Sequence, residues 1–487
     1  MPANCIGLRL CATLEADELD AVKNQMEAKG KRLLDKLDSS FVKIPYQTYK
    51  VSQTEVTQDL YEAVMGENPA EFKLDNLPIE HVSVYDAIYF CNKLSVMKGK
   101  EPVYAINGKT DVKEWNYIPH NSRSIDETIT QNEQANGYRL LTGSEWLTAA
   151  RGGEFLKYSG SDDLDEVAWY EGNSANTIHP VGKKKANKYG LYDMAGNVSE
   201  WVTFQNKHGA RGLSYTDDKG SPYQIAYQPS VNYYAQYKDM GIRLAVSLTG
   251  DELEAAKKEV ETRNQLIIEG VDNSFVQIPG QSFKMATTEV TQKLYEAVMG
   301  ENPCYFKFED LPAECVGWYE ALYFCNKLSV MTGKEPVYAV DGKTDVTQWN
   351  FKIHNKDRIR GTITQNTQAN GYRLPTAEEW EYAARGGQTY NYAGSDNIDE
   401  VAWYDKNSSK RTHPVGQKKA NGYGLYDMCG NVREWIWGEY KDNDNDRHNC
   451  GGGWENDYYS CKVGDKTRTY GASKDNAIGL RLVISAE

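Results

Sequence analysis

Thiols limit the chemistry open to this chain. There are nine cysteines, an odd and scattered set. No CxxC pair occurs, so a zinc site is not expected. Cys91 and Cys325 lie 234 positions apart inside matching helical patterns and read as core thiols. Histidine adds little. His179 and His413 share that spacing, but each precedes a proline in a loop, and His448 has no counterpart. Asp442-Asn443-Asp444-Asn445-Asp446 offers oxygens to a hard cation, but Arg447 stands where a calcium loop of the EF-hand type needs glycine. That run reads as a solvated acidic loop. The 34 tyrosines and 11 tryptophans say more, because large rigid rings with a polar tip suit recognition surfaces.

These residues sit in a sequence written twice. Phe41 to Trp201 reads onto Phe275 to Trp435 without a gap, at a constant offset of 234. LYEAVMGENP at 60–69 returns at 294–303, and FCNKLSVM at 90–97 returns at 324–331. The period is far beyond a solenoid unit of roughly 20–50 residues, so a whole domain is duplicated. The predicted organisation is a strand resembling the end of a preceding copy at 1–16, a linker helix at 17–38, a first domain at 39–249, a second linker helix at 250–268 and a second domain at 269–487. The opening strand, Ile6-Gly7-Leu8-Arg9-Leu10, matches Met240-Gly241-Ile242-Arg243-Leu244 and Ile478-Gly479-Leu480-Arg481-Leu482. It reads either as the remnant of a longer array or as a strand that pairs out of sequence order, and a strand left at an edge would need cover.

Composition narrows the function classes. A net charge of −14 over 487 residues argues against a nucleic-acid partner, which needs clustered Lys and Arg. Mean hydropathy is −0.68, and no apolar run approaches the ~20 residues of a membrane span. The opening MPANCIGLRL has no basic segment followed by an apolar one, so no signal peptide is expected. Cytoplasmic residence is the default reading, with surface display the alternative if a leader has been removed.

Each copy is predicted to carry a short first strand (Phe41 to Ile44; Phe275 to Ile278), then helices near Thr57 to Met65, Ser83 to Met97 and Ser144 to Arg151 and at the matching positions 234 residues on. Long stretches rich in Gly, Asn, Asp and Tyr separate them, as in an α+β domain with much surface loop. In the second copy, Thr376 with Glu379 three residues on predicts a capping box at the third helix. The first copy has Leu141-Thr142-Gly143-Ser144 at that place.

The second copy reads Gly371-Tyr372-Arg373-Leu374-Pro375-Thr376, Glu379-Trp380 and Ala383-Ala384-Arg385-Gly386-Gly387, then Gly424-Leu425-Tyr426-Asp427-Met428, Gly430-Asn431-Val432-Arg433-Glu434-Trp435, Gly451-Gly452-Gly453-Trp454 and Gly479-Leu480-Arg481-Leu482. This order and spacing resembles the formylglycine-generating enzyme (sulfatase-modifying factor) family, over essentially all of each copy. The resemblance implies tandem domains of C-type-lectin-like fold. It implies much less about activity, because one fold hosts many functions.

The resemblance also implies a structural calcium ion in each copy. Its ligands would be the carboxylates of Asp427 and Glu434 with the carbonyls of Gly430 and Val432, and in the first copy Asp193, Glu200, Gly196 and Val198. Calcium takes six to eight oxygens of these kinds. The alternative is a loop held by hydrogen bonds to Asn197 or Asn431. Family enzymes convert a sulfatase cysteine to formylglycine with a copper-bound cysteine pair. Here Cys461 falls at the second catalytic position, Asn456 stands at the first, and the first copy has no cysteine after Arg211-Gly212-Leu213-Ser214-Tyr215. One thiolate does not make a two-coordinate copper site. Oxidase action through Cys461 is therefore the alternative reading, with a buried structural thiol favoured.

Between Gly453 and Gly479 the likeness of the copies collapses. Asn456, Asp457, Tyr458, Tyr459, Ser460, Thr467, Thr469 and Tyr470 are all types reached from an asparagine codon by changing adenines. That pattern resembles the variable proteins of diversity-generating retroelements, which use this fold to present a mutable C-terminal face. With Trp454, these residues form the expected ligand-binding surface, and a protein or cell-surface ligand is the expected partner. The reading is a non-catalytic binding protein, with a structural tandem array as a further alternative.

Overall fold

The computed structural model describes residues 16–121, 125, 128–204, 207–218, 231–232, 234–353, 358–438 and 445–486. The strand expected at Ile6 to Leu10 and Asp442 to Asp444 lie outside them, as does much of the first copy's divergent stretch. The chain divides into two compact units, 1–257 and 258–487.

Each unit follows the same course. A long helix (Ala16–Leu37; Gly250–Glu269) leads into a hairpin, Phe41–Lys43 with Tyr49–Ser52 in the first unit and Phe275–Gln277 with Phe283–Ala286 in the second. The last strand of the unit returns to that hairpin: Leu244–Ser247 pairs antiparallel with Tyr49–Ser52, and Val483–Ser485 with Phe283–Ala286. Beginning and end are thus stitched together, and in the first unit Tyr138–Leu140 from between them adds a fourth strand beside Leu244–Ser247. Two helices follow the hairpin, Gln58–Met65 and Val84–Met97, repeated as Gln292–Met299 and Trp318–Met331. Their inner faces supply much of the main core; Tyr61, Phe90, Cys91 and Leu94 are buried in the first unit, Tyr295, Phe324, Cys325 and Leu328 in the second.

Local chemistry sets the boundaries. Thr376 accepts a hydrogen bond from Glu379 N while the Glu379 carboxylate reaches back to Thr376 N, so the capping box closes on the helix Ala377–Arg385. The first unit makes the same box with Thr142 and Glu145. Losing the proline there changes nothing at the cap, because proline supplies neither donor nor acceptor to it. Both helices stop at a left-handed glycine, Gly152 and Gly386.

A second sheet carries the site. In the second unit it runs Lys466–Tyr470, Asp446–Cys450, Arg433–Trp435, Ile478–Leu480, the last two strands parallel. Lys466–Tyr470 is its edge.

Candidate functional site

The loop that enters the strand Arg433–Trp435 is built on left-handed residues. Asp427 and Asn431 have φ of 54° and 61°, and Asp193 and Asn197 of the first unit have 55° and 62°. Gly430 has φ 78°, and a Cβ there would lie 2.3 Å from Trp403 O. Asn431 ties the loop down through its amide, accepting from His413 N at 2.9 Å and donating to His413 O at 3.1 Å. Asn197 does the same for His179. His413 lies face to face on Trp403, with centroids 3.7 Å apart, and burial lowers its pKa to about 4. The two matching histidines are thus loop pins, and His413 is neutral.

The expected calcium ligands Asp427 and Glu434 are both buried, as are Val432 and, in the first unit, Asp193, Val198 and Glu200. What they meet differs from the expectation. Arg481, fully buried, gives Glu434 three hydrogen bonds of 2.7–3.0 Å, and Trp380 Nε1 adds a fourth at 2.6 Å. Three N–H groups, with that of Arg481 Nε shared between the two oxygens, take up most of the carboxylate's accepting capacity. Arg243 and Trp146 likewise hold Glu200. The guanidinium supplies the positive charge that calcium was expected to supply.

A third carboxylate, which the sequence reading missed, completes each cluster. Glu289 and Glu55 are buried, and none of their carboxyl oxygens has a hydrogen bond of normal geometry. Glu289 and Asp427 are close enough to share a hydrogen bond. Burial, then the Asp427 charge, pushes the Glu289 pKa well above the usual carboxylate range, and burial raises Asp427 to about 6. Two carboxyls so close disfavour ionisation of both, which favours a proton or a cation between them. The side-chain oxygens left unpartnered, both of Glu289 and Oδ1 of Asp427, number three, so the carbonyls of Gly430 and Val432 and water would have to supply the rest of calcium's six to eight. Among the described residues no group of three His, Cys, Asp or Glu side chains is arranged to hold a metal. The side chains present form an arginine-centred carboxylate cluster in which Glu289 and Asp427 are left to share a proton or a cation. The signal for Glu55 and Glu289 was the repeated Thr-Glu-Val-Thr at 54–57 and 288–291.

Cys461 is wholly buried, and a Cβ on Gly452 would come within 2.6 Å of its Sγ. Burial drives its thiol pKa well up, away from the thiolate that metal binding and nucleophilic attack require. Asn456, at the other copper position, is bound instead by Arg433 Nε and Gly453 N, both at 2.8 Å.

The expected binding residues separate into supports and contacts. Trp454 is half-buried, donates to Asn476 O at 2.9 Å and meets Phe306 edge-on at 5.5 Å. Asn456 braces the turn just described. Asp457 Oδ1 accepts from Tyr459 N, Ser460 N and Ser460 Oγ, which fixes the turn that displays the tyrosines. Thr467 and Thr469 are half-buried on the edge strand, with Thr469 accepting from Asn449. The side chains facing outward are Tyr458, Tyr459 and Tyr470, at 36%, 58% and 42% exposure. The rings of Tyr458 and Tyr459 lie 4.1 Å apart, with Lys406 over one and Lys462 over the other. Tyr305, 66% exposed, stands next to Phe306. The sequence reading missed Lys406 and Tyr305, because they come from segments far from the divergent stretch.

A unit closed by its own first and last strands, with an arginine-centred cluster beneath a Gly-rich turn, defines a formylglycine-generating-type domain of C-type-lectin-like fold, here in tandem. The Sulfatase-modifying factor enzyme 1-like domain matches residues 23–248 and 254–486, and the chain belongs to that family. It is 42% identical over 230 residues to the chaperone protein LppX of Paenibacillus barcinonensis, spanning 42% of this chain and 80% of that one. It is 43% identical over 84 residues to the formylglycine-generating enzyme of Mycobacterium tuberculosis, a match covering 14% of this chain and 28% of that enzyme. Among solved structures, Treponema denticola variable protein 1 aligns with a TM-score of 0.40 at 31% identity, covering 44% of this chain and 91% of that one. Among the described residues, no helix is long and apolar enough to cross a membrane.

Proposed function

We propose that the chain is a non-catalytic binding protein whose second unit presents its ligand to Tyr458, Tyr459 and Tyr470. One observation carries the reading. Asp457, Asn456 and Trp454 are committed to hydrogen bonds that hold the turn, while Tyr458 and Tyr459 on it, and Tyr470 on the edge strand, project into solvent. Rigid rings on a pinned frame lose little entropy on binding, which is how paratopes work. The buried, protonated Cys461 without a second thiolate supports the non-catalytic part. The relative named as a chaperone makes a polypeptide the favoured partner class.

The test uses the full chain as bait against lysate from its source, with the Tyr458→Ala/Tyr459→Ala/Tyr470→Ala variant as control. A defined protein retained by the parent and lost by the variant supports the reading. Turnover of a sulfatase-derived cysteine peptide with Cu(I), abolished by Cys461→Ser, sinks it. An adenine-rich near-copy of the gene's 3′ end beside a reverse transcriptase gene would support active diversification of the face.

A further inference from the structure

We propose that Cys304 and Cys315 of the second unit are a modification site: under oxidation they join in a disulfide directly behind the aromatic corner Tyr305–Phe306–Trp454. The effect on ligand binding rests on the function proposed above; formation of the bond does not.

The geometry brings the two cysteines side by side. Glu314 N donates to Cys304 Sγ at 3.2 Å, and Phe306 N donates to Glu314 Oε1 at 2.8 Å, so segments 304–306 and 314–315 lie against each other. The Cys304 sulfur thus lies against the residue before Cys315, and the Cys315 sulfur accepts a hydrogen bond from the backbone of Tyr305, the residue after Cys304. Each sulfur therefore sits beside the other cysteine's chain neighbour, the close side-by-side placement a disulfide requires. Cys315 is fixed from the other side by Cys315 N donating to Asp475 O at 2.9 Å. It sits at a left-handed corner, φ 59°, which the first unit repeats at His81 with φ 59°. The corner therefore belongs to the fold, whereas the thiols do not: the first unit has Ala70 and His81 at these positions. Both changes occur together, in the unit that carries the tyrosine face.

The thiols differ in access. Cys304 is buried and Cys315 is partly exposed. Burial, then the Glu314 carboxyl, raises the pKa of both, so the attacking thiolate is scarce near neutral pH and exchange is favoured at higher pH. The oxidant is a low-molecular-weight disulfide. Cys315 gives up its proton and attacks one sulfur, forming a mixed disulfide and releasing one thiol. Cys304 then gives up its proton, attacks the Cys315 sulfur and releases the second thiol. The protein loses two protons and two electrons, and the oxidant gains them. Closing 304–315 fixes Phe306, whose ring meets Trp454 at 5.5 Å.

The full chain is incubated with oxidised glutathione at pH 8.5, alkylated in urea and digested without reduction; Lys307 between the cysteines lets trypsin separate them unless they are bonded. The expected result is a linked peptide pair holding Cys304 and Cys315, absent from Cys315→Ser and from a dithiothreitol-treated sample, with a melting temperature several degrees higher for the oxidised chain. Alkylation of both cysteines after oxidation overturns the site. So does a glutathione adduct that persists on Cys315, because Cys304 then fails to resolve it. Absence of the linked pair with tyrosine-dependent binding intact overturns this site alone. The linked pair without such binding overturns the proposed function alone.

Discussion

Replacing Glu289 by glutamine should remove a pH dependence of stability without removing the stability. Three carboxylates, Glu289, Asp427 and Glu434, face one guanidinium, Arg481. Glu434 and Arg481 neutralise each other, so the remaining pair keeps a single proton. Glu289, pushed up further than Asp427, is the group that holds it and donates it. Both folded pKa values lie above their unfolded values. Protonation therefore favours the folded state, and that stabilisation is complete at low pH and fades as pH rises through the folded pKa. For Asp427 the window runs from its ordinary 3.8 to about 6. At about 1.4 kcal/mol per pH unit the loss across it is roughly 3 kcal/mol. Glu289 extends the decline above that window. A glutamine amide in place of that carboxyl mimics the protonated acid, donates to Asp427 and removes the like charge. Urea unfolding followed by tryptophan fluorescence at pH 5.5, 7 and 8.5 should show the parent weakening with pH and Glu289→Gln staying nearly level. The matching pair in the first unit, Glu55 with Asp193, is shifted the same way, so Glu55→Gln is made in parallel. A Glu289→Gln variant destabilised at every pH, with the parent's slope unchanged, would refute the shared proton and point to an ionised Glu289 holding a cation.

Arg481→Met should leave Glu434 charged and unpaired in the core and destabilise the second unit by roughly 3–5 kcal/mol, read as a lower urea midpoint. Arg481→Lys should fail to restore it, since one ammonium cannot reach Glu434, Ala286 O and Tyr426 O together. EDTA should leave the melting temperature unchanged; a clear drop reversed by calcium would restore the calcium reading for Asp427 and its counterpart Asp193. The triple tyrosine-to-alanine variant should melt close to the parent, because exposed substitutions usually stay within about 0.5 kcal/mol each; unfolding instead would make those rings part of the core. Asp457→Ala, by contrast, should loosen the turn and weaken partner binding with all three tyrosines present.

The sequence alone determined what depends on neighbours along the chain. The duplication, the helix cores, the capping boxes at Thr142 and Thr376 and the family motifs are each written within a few residues, because hydrogen bonds of caps and turns close locally. The separation of Tyr458 and Tyr459 from their support Asp457 was beyond it, since composition does not say which polar side chain is spent on its own backbone. Tertiary structure alone decided the charge cluster. Glu289, the Asp427–Glu434 loop and Arg481 come from three segments spread over nearly the whole second unit. They meet because the unit's last strand returns to its first hairpin and carries the arginine inward. A pair of carboxylates in a glycine-rich loop reads equally as a cation site or a paired core. Only the arrival of Arg481 at Glu434 settles where the compensating charge lies, since burying such charges without a partner is prohibitive.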